Sequence, residues 1–276
     1  MKLLSVVIAN YNYGRFLEQA ICSVLAANDK RIELVLVDGG STDESLDIIE
    51  KYASRIDWWC SERDEGQSDA FNKGFAHATG KYLTWLNADD LFVPGALKKV
   101  LHELEEHPEC EWFTSNTYRF TSDSKIANIW WGPHALPGFL QTKGMALAVY
   151  GPSSFFAKNA YERVGRIRKD MNFMMDIDLW AKFVLSGIKQ RRINVFCWAF
   201  RLHKDSKTAE YGIHRLSSER RSEFEKERWE FYKRTGYKED WLTKKMGLLW
   251  RLVDFSLIRL LWYKLIFRRI PKWQMM

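Results

Sequence analysis

Two acids stand where an apolar run stops. Tyr82 to Leu86 reads as a buried strand, and it ends at Asn87-Ala88-Asp89-Asp90. A carboxylate at the end of an apolar strand resists ionisation unless a cation or water meets it. Its oxygens are hard ligands, and Mg²⁺ or Mn²⁺ is commonly held by one or two carboxylates together with substrate phosphates. The turn therefore has two readings. It is a divalent-metal site holding a phosphorylated substrate, or a solvated turn leading into the helix that Pro94 and Gly95 open.

The surrounding elements decide which ligand such a turn could meet. Leu3 to Ala9 and Glu33 to Val37 are apolar throughout, as strands covered on both faces are. Between them, Arg15 to Leu25 carries apolar residues at helical spacing. The second strand ends at Asp38-Gly39-Gly40, and Ser41 to Glu44 fits a capping box for a helix running to about Ala53. This β-α-β-α order predicts a mostly parallel sheet whose strand ends share one edge with Asn87 to Asp90, the edge where open α/β sheets bind ligands. Asp38 is either a helix-initiating acid or an acceptor for a nucleotide base or ribose, with the glycine pair permitting close approach. No G-x-G-x-x-G follows the first strand, which disfavours a dinucleotide fold. A short strand, Trp58 to Ser61, leads through the polar loop Glu62 to Asp69, which contains Gln67, into a helix over Ala70 to Ala78. Gln67 and Asn72 either reach the same edge or are simply solvated.

Composition narrows the partners. At 276 residues the chain is one large domain or two small ones. The four cysteines are dispersed, without a zinc or disulfide pattern, which fits a reduced cytosolic setting. The apolar start is too short for a signal peptide and reads as a strand. Residues 244–276 carry eight Lys or Arg and one acid, which accounts for the whole net charge of +7. Nucleic-acid enzymes spread positive charge around their clefts, so a nucleic-acid partner is not expected.

Four segments together resemble the inverting family 2 glycosyltransferases of the GT-A fold, in their polysaccharide-assembly branch. They are Ser5 to Leu25, Glu33 to Ser45, Ser61 to Asp90, and Met175 to Phe183, in consistent order over about the first 200 residues. The resemblance implies a Rossmann-like catalytic domain over residues 1–210, and the residues beyond it read as a helical extension over 211–276. It also implies that Ala9, Asn10, Tyr11, Asn12 and Asp38 line a nucleotide pocket, with Gln67, Asn72, Asn87 and Ala88 beside the nucleotide-sugar. Asp89 matches the last acid of the family's D-x-D, which holds the metal on the donor diphosphate, and Asp176 matches its catalytic base. The D-x-D begins here with Asn87, whose amide can hydrogen-bond a ribose but brings no charge. Asp178 is the rival base. At ~100° per residue the two acids point about 200° apart on one helix, so they cannot both face an acceptor.

The remaining segments carry expectations of their own. Trp112 to Ser115 and Phe155 to Ala157 read as strands, and Trp130, Trp131, Pro133, Pro137 and Gly138 fall in a loop-rich region. After a strand over Ile193 to Phe200 comes Arg201 to Thr208, a loop whose His203 and Lys207 suit a diphosphate and its metal, as the family's own residues there do. Leu216 to Arg234 is a charged helix, either a strut or an oligomer contact. Met246 to Phe267 is long enough to span a bilayer, but Arg251, Asp254, Arg259 and Lys264 interrupt it. It reads as an amphipathic helix at the inner membrane surface, with packing on protein as the alternative. The expected function is transfer of a sugar, UDP-linked, to a lipid-linked saccharide. A nucleotidyltransferase and a non-catalytic lipid-docking scaffold are the rivals.

Overall fold

The computed structural model describes residues 2–121, 126–130, 151–204, 217–237 and 245. Its strands are β1 (Leu4–Asn10), β2 (Ile32–Asp38), β3 (Trp58–Ser61), β4 (Tyr82–Asn87), β5 (Leu91–Phe92), β6 (Trp112–Thr121), β7 (Ile126–Trp130), β8 (Ser154–Ala157) and β9 (Gln190–Leu202). They form one sheet in the order β3-β2-β1-β4-β8-β6-β9-β5, with β7 on β6. Its helices are α1 (Gly14–Leu25), α2 (Ser45–Tyr52), α3 (Gln67–His77), α4 (Ala96–Glu106), α5 (Lys158–Arg163), α6 (Met175–Leu185) and α7 (Ser218–Thr235).

The expected α/β architecture is present. β3, β2, β1 and β4 pair in parallel. Beyond β4 the sheet is mixed, because β8 pairs antiparallel with both β4 and β6, while β6 and β9 run parallel. The register of the parallel half explains the placement of its polar residues. Asn10 stands opposite Asp38, Asp38 opposite Ser61, and Ala9 opposite Asn87. Parallel strands of matched register end together, so each strand delivers its last polar residue to one edge. β1 and β2 are buried along nearly their whole length, which explains their unbroken apolar runs.

Two pieces of local chemistry differ from expectation. The capping box over Ser41 to Glu44 does not form: α2 starts at Ser45, and the Ser41 hydroxyl instead donates to Asp38 at 2.5 Å. The Ser41 oxygen, which a box would use to accept a helix N–H, instead accepts from Asn12 N at 2.8 Å. α3 begins at Gln67, three residues before the expected Ala70, directly after Gly66 at φ 109°. It lies close on β1 at Gly74, where a Cβ would sit 2.3 Å from Val7 Cγ1.

Below the polar edge, three indoles stack in a column. Trp85 of β4 lies 5.6 Å from Trp180 of α6 with an interplanar angle of 4°, and Trp180 lies 5.4 Å from Trp112 of β6. This ties α6 to the sheet. α7 docks on the same core through Phe231, with Tyr237 just beyond it, so its described contacts are those of a strut. Among the described residues no helix is long and apolar enough to cross a membrane. Met246 to Phe267, Lys207 and the loop around Trp131, Pro133, Pro137 and Gly138 lie outside the described residues.

Candidate active site

A cavity of about 850 Å³ opens at the edge where the parallel strands end. Ala9, Asn10, Tyr11, Gln67, Asn87, Ala88 and Asp89 line it, and Asp176 lines the same space. Two carboxylates almost ninety residues apart thus face one chamber.

Asp89 is held by its neighbours. Its Oδ2 stands 2.9 Å from His203 Nε2, with both side chains largely buried. His203 arrives there because β5 pairs antiparallel with β9, setting Leu91 opposite Ala199 and Phe92 opposite Trp198. That pairing draws the end of β9 alongside the acidic turn. Arg201 adds a second tie, its Nε donating to the Asp89 carbonyl at 2.8 Å. Asp90 faces the other way. It is fully buried, accepts from Arg201 N at 2.9 Å and from Asn87 Nδ2 at 2.9 Å, and burial together with the Asp89 charge pushes its carboxyl well above the usual range. Asp90 is therefore a brace between the turn and β9, while Asp89 faces the cavity.

Asp89 offers a divalent cation one hard ligand on the cavity wall. His203 does not line the cavity: its largely buried imidazole meets Asp89 Oδ2 in a direct contact of hydrogen-bond length, which a cation held by both residues would have to replace. The carboxylate is the oxygen donor that Mg²⁺ and Mn²⁺ favour, whereas imidazole is more typical of zinc, copper, iron and nickel sites. Among the described residues no third His, Cys, Asp or Glu joins them, so diphosphate oxygens and water would supply the remaining positions.

Asp176 sits in the first turn of α6. Burial raises its pKa to about 6, against backbone hydrogen bonds, from Ile177 first, that lower it. Asp178 is turned away and fully buried, hydrogen-bonded to Arg234 of α7 and 3.1 Å from Lys182. The helical geometry thus separates the two acids as expected. Asp178 is tied to the strut, and Asp176 is left for the cavity.

Three expected pocket residues do other work. Asp38 does not line the cavity: it is fully buried, and its oxygens accept from Asn10 Nδ2 (2.7 Å), Gly40 N (3.1 Å), Ser41 N (2.9 Å), Ser41 Oγ (2.5 Å) and Ser61 Oγ (2.7 Å). Burial alone would raise its pKa, but these donors bring it below the ordinary value. Asn12 lies at φ 55°, accepts from Thr42 N at 2.8 Å and donates its own N–H to Ser41 Oγ at 2.8 Å, which shapes the turn after β1. Asn72 donates to the Ile167 carbonyl at 2.9 Å and accepts from the Tyr161 hydroxyl, fastening α3 to the segment before α6. By contrast, Asn10 keeps something for a ligand. Its Nδ2 is engaged by Asp38, and its buried Oδ1 has no hydrogen-bond partner among the described residues.

Sequence reasoning missed several cavity residues. Trp198 and Phe200 share a face of β9, but only the β5–β9 pairing brings them beside Asp89. Asn172 and Phe173 line the wall ahead of Asp176. Asp64 also lines the cavity. Burial raises its pKa, and it fits against Gly39, where a Cβ would sit 2.7 Å from its Oδ2. The pairing of Asp64 with a side-chain-free position is a signal the sequence carried in Gly39-Gly40.

The model for "Glycosyl transferase family 2" matches residues 5–164, more than half of the chain. The chain belongs to glycosyl transferase family 2. An uncharacterized glycosyltransferase of Nostoc sp. is 44% identical over 101 residues, covering 36% of this chain and 31% of the relative. A second match is the UDP-Glc:alpha-D-GlcNAc-diphosphoundecaprenol beta-1,3-glucosyltransferase WfaP of Escherichia coli, 28% identical over 214 residues, 76% of this chain and 81% of that protein. The matched segments span 31% to 58% of the first curated relatives, which include an uncharacterized glycosyltransferase of Rickettsia typhi. Among solved structures, S. aureus TarS 1-349 in complex with UDP-GlcNAc has a TM-score of 0.63 at 17% identity, covering 81% of this chain and 64% of that one. A Pyrobaculum calidifontis mannosyltransferase in complex with GDP-Man and Mn2+ has a TM-score of 0.55 at 17% identity, covering 75% and 59%. These likenesses identify the fold as the GT-A fold.

Proposed function

We propose that this family 2 chain transfers a sugar from a UDP-linked donor to a lipid-linked saccharide, with inversion, during cell-surface polysaccharide assembly. The observation that carries the reading is that Asp89 and Asp176 open on one cavity. A reaction that displaces a nucleoside diphosphate needs charge neutralised at the leaving group and a proton removed from the incoming alcohol. Mn²⁺ or Mg²⁺ held by Asp89 and His203 would supply the first. Asp176, taking the hydroxyl proton while the alcohol attacks opposite the leaving group, supplies the second and gives inversion. The buried Oδ1 of Asn10 is suited to accept an N–H from the base, and Gln67, which donates to Asn87 at 2.9 Å, stiffens the wall between base and metal. The printed activity of WfaP, a UDP-glucose donor and a diphosphoundecaprenol-linked acceptor, supports the choice of donor and acceptor classes.

A hydrolysis screen of UDP-, GDP- and dTDP-sugars with Mn²⁺ or Mg²⁺ tests the reading. Turnover of a UDP-sugar, lost when EDTA is added, is the expected result. No turnover of any sugar nucleotide, with or without acceptor lipid, rejects it. The basic tail places the enzyme at the inner membrane face in this proposal. Removing residues 244–276 should abolish co-sedimentation with anionic liposomes, and binding that persists would reject a role for the tail.

A further inference from the structure

The wall of the cavity that precedes Asp176 is gripped from outside the family-matched region. Glu227 of α7 is one of only two buried residues on that helix. Its Oε1 accepts from Asn172 N at 2.7 Å, and its Oε2 accepts from Phe173 N at 2.9 Å and from Met174 N at 3.1 Å. Glu223, one turn earlier, accepts from the Asn172 side chain at 2.6 Å. On its other side the same segment is tied to α3, where Ser68 Oγ donates to the Met171 carbonyl at 2.6 Å. Met174 is the residue that caps α6, and Asp176 follows two positions later.

This placement has a chemical consequence. A helix start presents unpaired N–H groups, and an acid in the first turn tends to swing back and satisfy them. Asp176 already accepts from Ile177 N at 2.8 Å through Oδ1. Were the N–H groups of residues 172–174 unclaimed, they would compete for its remaining lone pairs. Glu227 takes all three, so that Asp176, which the backbone donors of Ile177 and Gly151 also meet, keeps its place on the cavity wall. A carboxylate buried in an otherwise charged, exposed helix is costly to keep there unless such donors meet it. The three donors it meets all belong to the lead-in to α6.

We propose that Glu227 is a positioning residue for the transfer reaction: by capping the backbone of residues 172–174 it fixes the start of α6 and aims the Asp176 carboxylate at the acceptor hydroxyl. This rests on the reading of Asp176 as the base. It also makes α7 part of the catalytic apparatus, although the nucleotide end of the cavity is built by β1, β4 and the turns beside them, which Glu227 does not touch.

The test is Glu227→Gln, which keeps the shape but turns an amide NH₂ toward N–H donors. The full-length protein is assayed by hydrolysis of the UDP-sugar identified in the screen, with water as acceptor. Misplacement of a catalytic group by about 1 Å can cost on the order of 100-fold, so kcat should fall about 10-fold or more, while donor KM stays within about 2-fold and the melting curve remains cooperative. Glu223→Ala, which removes only the Asn172 side-chain contact, should leave both constants near those of the parent. An unchanged kcat in Glu227→Gln overturns the proposal. So does a joint loss of folding and donor binding, because that would make the contact general scaffolding. Asp176→Asn run alongside separates the two claims. If it is inactive while Glu227→Gln matches the parent, only the positioning role fails. If it turns over at the parent rate, the base assignment fails and the positioning role with it.

Discussion

Asp176→Asn should reduce sugar transfer by about 10²- to 10⁴-fold, the range that general-base catalysis supplies, while the donor still binds. The side chain keeps its size and its bond to Ile177 N, but it can no longer take a proton. The same residue sets the acid side of the pH profile. Burial raises its pKa from 3.8 to about 6. The base works only when ionised, so kcat/KM should fall as pH drops through about 6. Stability carries the opposite sign. Between the unfolded and folded values the native chain retains a proton that the unfolded chain releases, so native stability decreases as pH rises through that window. Asp176→Asn removes a buried charge, and it should therefore melt higher than the parent at pH 8, with the difference vanishing near pH 4. A variant both less active and less stable at pH 8 would mean that Asp176 holds the fold instead of the proton. Asp178 is the control for that alternative: it is fully buried against Arg234, and Asp178→Ala should lower the melting temperature by untying α6 from α7 while leaving the acid limb of the pH profile in place.

What the sequence revealed, and what it hid, follows from the range of each interaction. The strand termini were legible because a parallel strand buried on both faces announces itself as an unbroken apolar run, and its first polar residue marks the edge. Asn10, Asp38 and Asn87 were found that way. The direction each one faces was not legible. Asp38 ends β2 and Asp89 lies in the turn just after β4, yet Asp38 is consumed by Ser41, Ser61 and backbone donors while Asp89 faces the cavity. That difference arises from side chains up to twenty-three residues away. The separation of Asp176 from Asp178 was legible in principle, because helical geometry forces it. Which of them faces inward depended on α7, whose Arg234 claims Asp178. Glu227 was hidden completely. It lies in a run of alternating charges whose pattern reads as solvated, and its partners are backbone N–H groups that no sequence displays. Trp198 and Phe200 were hidden for a related reason: they belong to a strand that read as ordinary core until β5 drew it beside the acidic turn.

Asp89→Ala should abolish metal-dependent turnover, with a loss of about 10³-fold, comparable to removing one preorganised group that stabilises transition-state charge. The cavity has one carboxylate aimed at the proposed cation. Asp90 cannot substitute, because both its oxygens are committed to Arg201 N and Asn87, and its burial favours the neutral form. The Asn at position 87 brings no charge of its own, so little would remain to hold the ion. His203→Ala should be milder, weakening apparent Mn²⁺ affinity about 10-fold, within the range seen when supporting groups around a metal are lost, because the carboxylate keeps the charge interaction. Mn²⁺ titration followed by electron paramagnetic resonance, with UDP present, reads both effects without relying on turnover. The expected ordering is parent tightest, His203→Ala weaker, and Asp89→Ala weakest. Equal Mn²⁺ binding by Asp89→Ala and the parent would remove Asp89 from the metal site. Turnover in Asp89→Ala that is normal and indifferent to EDTA would show that leaving-group charge is neutralised by some other group, with Arg63 of the cavity wall the first cation to substitute.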